Sequence, residues 1–504
     1  MDVFSNLALG AQVALSPMNL LYCFLGVLVG TLIGVLPGVG PTAGIAILIP
    51  ISLNLPPASA IILLAGIYYG AMYGGSTTSI LLNVPGEASS VPTALDGYQM
   101  ARKGRAGPAL GMAAIASFIA GTFSQFGLLL LAPPLADIAL DFGPPEYFSL
   151  MLLGLTIVIG LSGRSLLKGL IAGVFGLMIA MVGQDPLTGL ARYTYGVVDL
   201  LGGIDFISVV VGLFAFSEIM ANAEGSMREV FATKVKGSIL PNLQDWKDSA
   251  GALVRSSIVG FFVGIIPGGS ATVSSFLVYD MERRLSKHPE KFGTGVIEGV
   301  AAPEGANNAA VGGGLIPLLT LGIPPSAPLA VLLGALMVHG VRPGPMLFQE
   351  NPEVVWGLVV SMYVGNVMLL ILNLPLVGLW ARLITVPYPV LAPIVLALCV
   401  IGTYSIRNNM IDVWIAILFG IIGFLMRKTE IPAAPVVLTL VLAHMFENAL
   451  RQSMVMSSGD PSIFLTRPMS AVLLLIVAIA LIASVLERRR TGGPREGLLS
   501  AEEA

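Results

Sequence analysis

Long apolar runs alternate with short polar interruptions along the chain, and within each run the apolar residues are continuous. Continuous runs predict α-helices, because the strands of a membrane barrel would alternate with a period of two. Conventional spans are expected near 107–132, 145–163, 165–183, 203–222, 355–380, 388–404, 411–426, 432–449 and 468–487. Pro133-Pro134, Pro144-Pro145 and Pro387-Tyr-Pro389 are expected at loop edges, where a missing backbone N–H does least harm. The regions 17–100 and 251–341 differ, since Pro-Gly and Gly-Gly repeatedly break their apolar runs. Such interruptions predict broken helices or re-entrant hairpins. Residues 224–250 form the most polar internal stretch (Glu224, Arg228, Glu229, Lys234, Lys236, Asp245, Lys247, Asp248) and read as a linker between two halves.

The halves resemble one another. Gly30-Thr-Leu-Ile-Gly34-Val-Leu-Pro37-Gly38-Val-Gly40-Pro-Thr42 aligns with Gly260-Phe-Phe-Val-Gly264-Ile-Ile-Pro267-Gly268-Gly-Ser270-Ala-Thr272 at a constant offset of 230. Gly74-Gly75 and Asn83-Val-Pro85-Gly86 pair with Gly313-Gly314 and Gly322-Ile-Pro324-Pro325 at 239. Gly121 pairs with Gly365, and Phe175-Gly176 with Phe419-Gly420, at 244; Glu218 falls opposite Glu447. Chance similarity between glycine-rich segments would not preserve this order. The expected organisation is a first repeat over 16–224, a polar cytoplasmic linker over 225–249, a second repeat over 250–453, a C-terminal span over 454–490 and a tail over 491–504.

Composition changes the picture from buried helices to membrane helices. Of 504 residues, 55% are hydrophobic and 11% charged, against about 25% charged in soluble domains. From Val3 to Gly86 there is no Asp, Glu, Lys, Arg or His, and at roughly 20 residues per span that stretch can cross a bilayer about three times. A soluble enzyme is excluded. The predicted class is an all-α polytopic membrane protein, with about eleven or twelve transmembrane helices plus re-entrant or broken helices.

The charges that remain carry orientation. The net charge of −3 implies no nucleic-acid partner. Arg488-Arg489-Arg490 after the last span places the C-terminus in the cytoplasm by the positive-inside rule. Counting back puts Arg427-Lys428, Arg382, the linker, Arg164 and the Arg102-Lys103-Arg105 cluster inside, with Arg407 and Arg342 outside. The loop 133–143 comes out outside and its counterpart inside, so the repeat is expected to be of inverted topology; Arg451 and Arg467 outside run against the rule. The N-terminus is then periplasmic, and the first segment, lacking a basic n-region, is expected to stay in the mature protein.

Candidate chemistry follows from the breaks. Inverted repeats with discontinuous helices are the build of secondary transporters, whose substrates bind near the midplane. Half-helices after Pro37-Gly38-Val39-Gly40 and Pro267-Gly268-Gly269-Ser270 would aim free N–H groups inward, which suits an anion. Thr42 and Thr272 lie in their first turns. The hydroxyl run Ser76-Thr77-Thr78-Ser79 precedes the Asn83-Val-Pro-Gly-Glu87 tip, and the second half offers Asn307, Asn308 and Thr320. The predicted substrate-binding set is Gly38, Gly40, Thr42, Ser76, Thr77, Thr78, Ser79, Asn83, Gly268, Ser270, Thr272, Asn307 and Asn308. The cation-coupling candidates are Pro37, Pro267, Glu87, Glu304 and Thr320. Packing competes with this reading throughout, since small residues let membrane helices approach closely; an isolated Gly30/Gly34 pair reads as packing. Glu87, Glu298 and Glu304 serve either coupling or the water interface. Asp280 to Arg284 and Lys287-His288 read as a solvated loop, and Trp356, Trp380 and Trp414 as interfacial anchors. His288, His339, His444, Cys23 and Cys399 have no metal or disulfide spacing.

Gly34-Val-Leu-Pro37-Gly38-Val-Gly40, Tyr69-Gly-Ala-Met-Tyr73 through Asn83-Val-Pro85-Gly86-Glu87, and Ala302-Pro-Glu304-Gly-Ala-Asn307-Asn308-Ala resemble the large membrane subunit of tripartite tricarboxylate transporters, the TctA family. His339-Gly-Val-Arg342-Pro-Gly-Pro345, Arg451-Gln-Ser-Met and Gly459-Asp-Pro-Ser extend the resemblance, which runs from about residue 20 to residue 470. Gly305 departs from the Pro-Glu-Ala-Ala-Asn-Asn pattern expected there. The resemblance implies a bacterial inner-membrane importer of tricarboxylates or related carboxylates such as citrate. It also implies a small four-span membrane subunit (TctB-like), a periplasmic solute-binding protein (TctC-like), and a Na⁺ or H⁺ gradient as the drive. No cofactor is expected, and no Gly-x-x-x-x-Gly-Lys-Ser/Thr phosphate loop is present for ATP. A self-sufficient carboxylate carrier is the alternative. An intramembrane enzyme would want an acid–base, metal or nucleophile constellation, and none is visible.

Overall fold

The structure is a computed structural model in which residues 3–36, 40–161, 165–185, 188–224, 238–383 and 388–491 are described. Pro37, Gly38, most of the linker and the tail beyond residue 491 lie outside them. The first half contains α1 (Val3–Ala14), α2 (Pro17–Val35), α3 (Gly40–Ser52), α4 (Pro57–Leu82), α5 (Val91–Met100), α6 (Ala106–Leu140), α7 (Pro144–Leu161) and α8 (Leu166–Ala180). A two-stranded hairpin of β1 (Gly183–Gln184) and β2 (Ala191–Arg192) follows, then α9 (Phe206–Val210) and α10 (Ser217–Glu224), joined by a π-wound segment. The second half contains α11 (Leu243–Ile265), α12 (Ala271–Leu285), α13 (Glu298–Leu321), α14 (Ala327–Val338), α15 (Leu347–Glu350), α16 (Pro352–Asn373), α17 (Val377–Leu383), α18 (Tyr388–Arg407), α19 (Met410–Lys428) and α20 (Ala434–Met456). Two more helices, α21 (Ile463–Thr466) and α22 (Pro468–Thr491), complete the described chain.

Among the described residues, 7 helical stretches are long and apolar enough to cross a membrane, including Pro17–Val35, Pro57–Leu82, Leu243–Ile265 and Pro352–Asn373. Other apolar helices, such as Gly40–Ser52 and Ala327–Val338, are too short to do so. The protein is an all-α polytopic membrane protein. Backbone that cannot reach water must bond to itself, so glycine-rich segments that would fray in a soluble protein stay helical here.

Glycines set the closest helix contacts. An added Cβ at Gly26, Gly30 or Gly34 of α2 would sit 2.4, 2.3 or 2.2 Å from the carbonyl oxygens of Leu63, Ile67 and Ala71 on α4. The contacts advance together, so α2 and α4 run side by side in the same direction. Likewise Gly260 and Gly264 of α11 lie on Ala306 and Ala310 of α13, at 2.5 and 2.3 Å. Because α3 leads from the end of α2 back to the start of α4, α2 and α3 form a hairpin that returns to the side it left. Helices α11 and α12 do the same.

The halves end their elements at matching places. Helices α2 and α11 stop at Val35 and Ile265, and α4 and α13 at Leu82 and Leu321, in the registers read from the sequence. Each of the latter pair ends in a left-handed cap, Asn83 (φ 58°) and Gly322 (φ 71°). Phe175 and Phe419, equivalent in the alignment, pack ring to ring at 6.3 Å. Helix α6 runs against α4, with Gln125 beside Tyr69 while Ser117 and Ser76 both reach Glu304. It runs with α13, since Ser117 touches Glu304 and Ser124 abuts Gly312. Helices α4 and α13 therefore point in opposite directions.

Several sequence expectations are corrected. Pro133 and Pro134 lie inside α6, which continues to Leu140, so they mark no loop edge. Asp280 to Arg284 lie in α12, where Glu282 is buried and held by Arg255 through two bonds of 2.6 Å. The hydroxyl run at 76–79 and the glycines at 312–314 sit in unbroken helices; the breaks come later, at 83–87 and 322–326. Trp356 and Trp380 are buried, and Trp380 donates to the Leu372 carbonyl at 2.9 Å; Trp414 alone of the three is exposed.

Candidate functional site

Glu304 projects from α13 into a space that three elements of the first half line with hydroxyls. Its side chain is 0% exposed. Ser76 of α4 donates to its Oε2 at 2.6 Å, Thr93 of α5 to Oε1 at 2.6 Å, and Ser117 of α6 to Oε2 at 3.4 Å. Among the described residues no Lys, Arg or His pairs with Glu304 or Glu87. A hydrogen bond to a charged group contributes about 1.5–3 kcal/mol, and a buried ion loses several kcal/mol of hydration. Three hydroxyls therefore offset the burial to within the size of the penalty, without a counter-charge.

Beyond Leu82 the chain folds back along α4. Asn83 is an exposed left-handed cap, a position that favours Asn over most side chains. Gly86 presses on the Gly34 carbonyl, where a Cβ would sit at 2.1 Å, and Gly75 leaves the room that Glu87 fills. The buried Glu87 carboxyl accepts from Ser89 at 2.5 Å. Ser90 donates to the Glu87 carbonyl at 2.8 Å, and Ser79 reaches Ser90 at 2.8 Å and the Gly75 carbonyl at 3.0 Å. Thr78 donates to the Gly75 carbonyl at 3.0 Å, and Thr77 is buried without a hydrogen-bond partner among the described residues.

The second half closes differently. The Gly268 N–H (φ 80°) donates to the Pro325 carbonyl at 3.0 Å, docking the 322–326 tip on the break. Ser270 caps α12 by accepting from the Val273 N–H at 3.3 Å, so its oxygen is committed locally. Thr272 is buried in the first turn of α12, Pro267 is half-buried, and in the first half Gly40 (φ 58°) opens α3 with Thr42 half-buried beside it. Thr320 donates to the Ile316 carbonyl of its own helix at 2.8 Å.

Asn307 is the outstanding group. It is 0% exposed, and neither its Oδ1 nor its Nδ2 has a partner. Ser274 of α12 donates to the Ala306 carbonyl at 3.2 Å, so the backbone one residue before Asn307 packs on the first turns of α12. Gly314, two turns along the same face of α13, abuts Pro325 of the tip. Asn308 uses its Nδ2 on the Glu304 carbonyl at 3.1 Å, while its Oδ1 is unpartnered. A buried amide left unpaired costs about 1–3 kcal/mol, and natural proteins tolerate one where a ligand completes it.

The structure thus brings Ser76 onto Glu304, leaves Asn307 and Asn308 buried one turn further along α13, and gives Thr78, Ser270 and Thr320 local backbone roles. Sequence reasoning missed Thr93 and Ser117 in the Glu304 cage. It also missed the seam beyond it, where Tyr73 donates to Asn366, Asn366 donates to the Phe118 carbonyl at 2.9 Å, and Gln125 donates to Tyr69 at 2.7 Å. Tyr69, Tyr73 and Ser76 recur at helical spacing on one stripe of α4, a signal that was available.

The sequence matches the family described as the tripartite tricarboxylate transporter TctA family over residues 20–438. The chain belongs to the TctA family. It is 49% identical over 494 residues to an uncharacterized 52.8 kDa protein in the TAR-I ttuC' 3' region of Agrobacterium vitis, covering 97% of this chain and 98% of that protein. It is also 44% identical over 234 residues to an uncharacterized protein in the TAR-II ttuC' 3' region of the same organism, covering 46% of this chain and 97% of that protein. No solved structure matches the chain. Membership makes the chain the large membrane subunit of a tripartite tricarboxylate transporter. The Glu304-Gly-Ala-Asn307-Asn308 segment and both breaks lie within the region matched to the TctA family.

Proposed function

We propose that the chain imports tricarboxylates or related carboxylates by alternating access between two inverted repeats, driven by Na⁺ or H⁺. Its expected partners are a TctB-like membrane subunit and a TctC-like binding protein. The observation that carries the reading is the buried, unpartnered amide of Asn307, next in the chain to the Ala306 carbonyl that packs on the first turns of α12. Ser270 takes the Val273 and Ser274 N–H groups, so at the start of α12 the N–H groups of Ala271 and Thr272 are those an anion would satisfy, together with the positive end of the helix dipole. A carboxylate oxygen seated there would take the Asn307 Nδ2 as well, with the Thr272 hydroxyl in the same turn.

Opposite directions of α4 and α13 support the inverted repeat. Ion pairs support the sidedness, because they join groups assigned to the same face. Arg105 pairs with Asp245, Arg427 with Glu218 and Lys428 with Glu224 at 2.5, 2.6 and 2.7 Å on the face assigned to the cytoplasm. Arg192 pairs with Glu447 at 2.9 Å and Arg451 with Asp185 at 3.0 Å on the other face, which neutralises a basic group that ran against the rule. Arg467 is likewise held by Glu146 at 2.6 Å.

The test is uptake of labelled citrate and related di- and tricarboxylates into cells or proteoliposomes, with and without the binding protein. Asn307→Ala is expected to abolish uptake while the protein still assembles. Undiminished uptake in that variant overturns the site, and full uptake without the binding protein favours a self-sufficient carrier.

A further inference from the structure

We propose that Glu304 is the proton carrier of the transport cycle, taking up and releasing H⁺ inside its hydroxyl cage, and that it does not bind Na⁺. This rests on the cation-coupled reading above and narrows it.

The cage fits a proton. Ser76, Thr93 and Ser117 touch the carboxyl directly at 2.6, 2.6 and 3.4 Å. Each hydroxyl can donate or accept by rotating about its C–O bond, so the same neighbours serve the charged and the protonated carboxyl. A cation site in a carrier draws instead on carbonyls freed where helices unwind. At the cage α4 and α13 do not unwind, and the Glu304 carbonyl is already engaged by Asn308. The three hydroxyls balance the charged carboxyl only narrowly against its loss of hydration, so a proton can neutralise it at little cost and without new ligands.

The surrounding charges are accounted for. Tyr73 of α4 and the Glu87 carboxyl of the tip are near enough to feel a charge on Glu304. Asp96 of α5 is held by the Tyr279 hydroxyl at 2.8 Å and by the N–H groups of Gly293, Gly295 and Val296 at 2.9, 2.7 and 3.0 Å. Arg255 of α11 is occupied by Glu282 of α12. Helix α6 offers the Ser117 hydroxyl. The cage also straddles the two halves, with the acid on one and every donor on the other. Protonation therefore changes the strength of a contact between the parts that alternating access moves, which is where a driving ion must act.

The full-length chain in lipid vesicles should be titrated by infrared difference spectroscopy from about pH 4 to about pH 9, in choline chloride and in sodium chloride. A protonated-carboxyl absorption that titrates is expected, lost in Glu304→Gln, retained in Glu87→Gln and the same in both salts. Ser76→Ala keeps the acid but removes a cage member, and should move that titration by about one pH unit or more. If Glu304→Gln proves unfolded, this second variant decides. Spectra unchanged by Glu304→Gln or by Ser76→Ala overturn the proposal, and so does an absorption that sodium removes at constant pH. None of these readings involves the cargo, so the carboxylate reading stands or falls separately on the Asn307 uptake experiment.

Discussion

Helices α4 and α13 occupy the same place in the two halves, yet they are furnished oppositely. Both are glycine-rich, both lie along a partner helix at backbone contact, and both end in a left-handed cap that turns the chain back. On α4 the polar groups are phenols and hydroxyls, two of which donate to other helices: Ser76 to Glu304 and Tyr73 to Asn366. On α13 they are an acid and two amides, of which Asn307 finds no partner. The helix ends match in register and the polar groups do not. On the reading proposed above, the two breaks belong to one repeated frame whose halves carry different sides of the transport site.

Asn307 should show the largest effect. Asn307→Leu is expected to lower carboxylate uptake about a hundredfold, the size of two lost bonds to a charged ligand. Thermal unfolding should hold steady or rise, because a buried amide without partners costs about 1–3 kcal/mol. A lower unfolding temperature would show that the amide has a structural role. Ser76→Ala comes next, since it strips a 2.6 Å donor from Glu304: about 1.5–3 kcal/mol of stability and about tenfold in uptake, read by denaturation and flux.

The frame itself is tested by matched glycines. Gly34→Ala and Gly264→Ala each force a Cβ to within 2.2 and 2.3 Å of a carbonyl oxygen, so each should cost about 1–3 kcal/mol. Similar losses in chemical unfolding support a repeated backbone, and a loss confined to one half breaks the comparison. The smallest effects belong to Thr78→Ala and Thr320→Val, whose hydroxyls bond only to their own helices. Both sites are buried, so each change is expected to cost about 1 kcal/mol with uptake near wild type, and a large loss of uptake in Thr320→Val would restore it as a coupling residue.

Fold class and the matching ends of α2 with α11 and of α4 with α13 were legible because membrane burial writes long apolar runs and because glycine pairs stand in register. Glu304, Ser76 and Asn307 stood out as polar groups in such runs. What could not be read was which hydroxyl turns outward. Ser76 and Thr78 are two residues apart in one run, and helical rotation alone sends the first to an acid and the second to its own backbone. Thr93 and Ser117 were invisible because their partner is some two hundred positions away. Pro133-Pro134 misled because a helix in a membrane bundle tolerates prolines that would end one in water.

The strap of Asp96 on Gly293, Gly295 and Val296 has a bearing on how the chain is made. Asp96 is buried, and its four partner groups are synthesised almost two hundred residues after it. Ser76, Thr93 and Ser117 likewise wait for Glu304. During synthesis the first half must therefore stand in the bilayer with its polar groups unanswered until the second half arrives. Domains generally fold from the N-terminus as they emerge, but here completion is deferred. A ribosome halted after residue 250 would leave a half-protein with exposed polar seams, and membrane quality control should remove it faster than the finished chain.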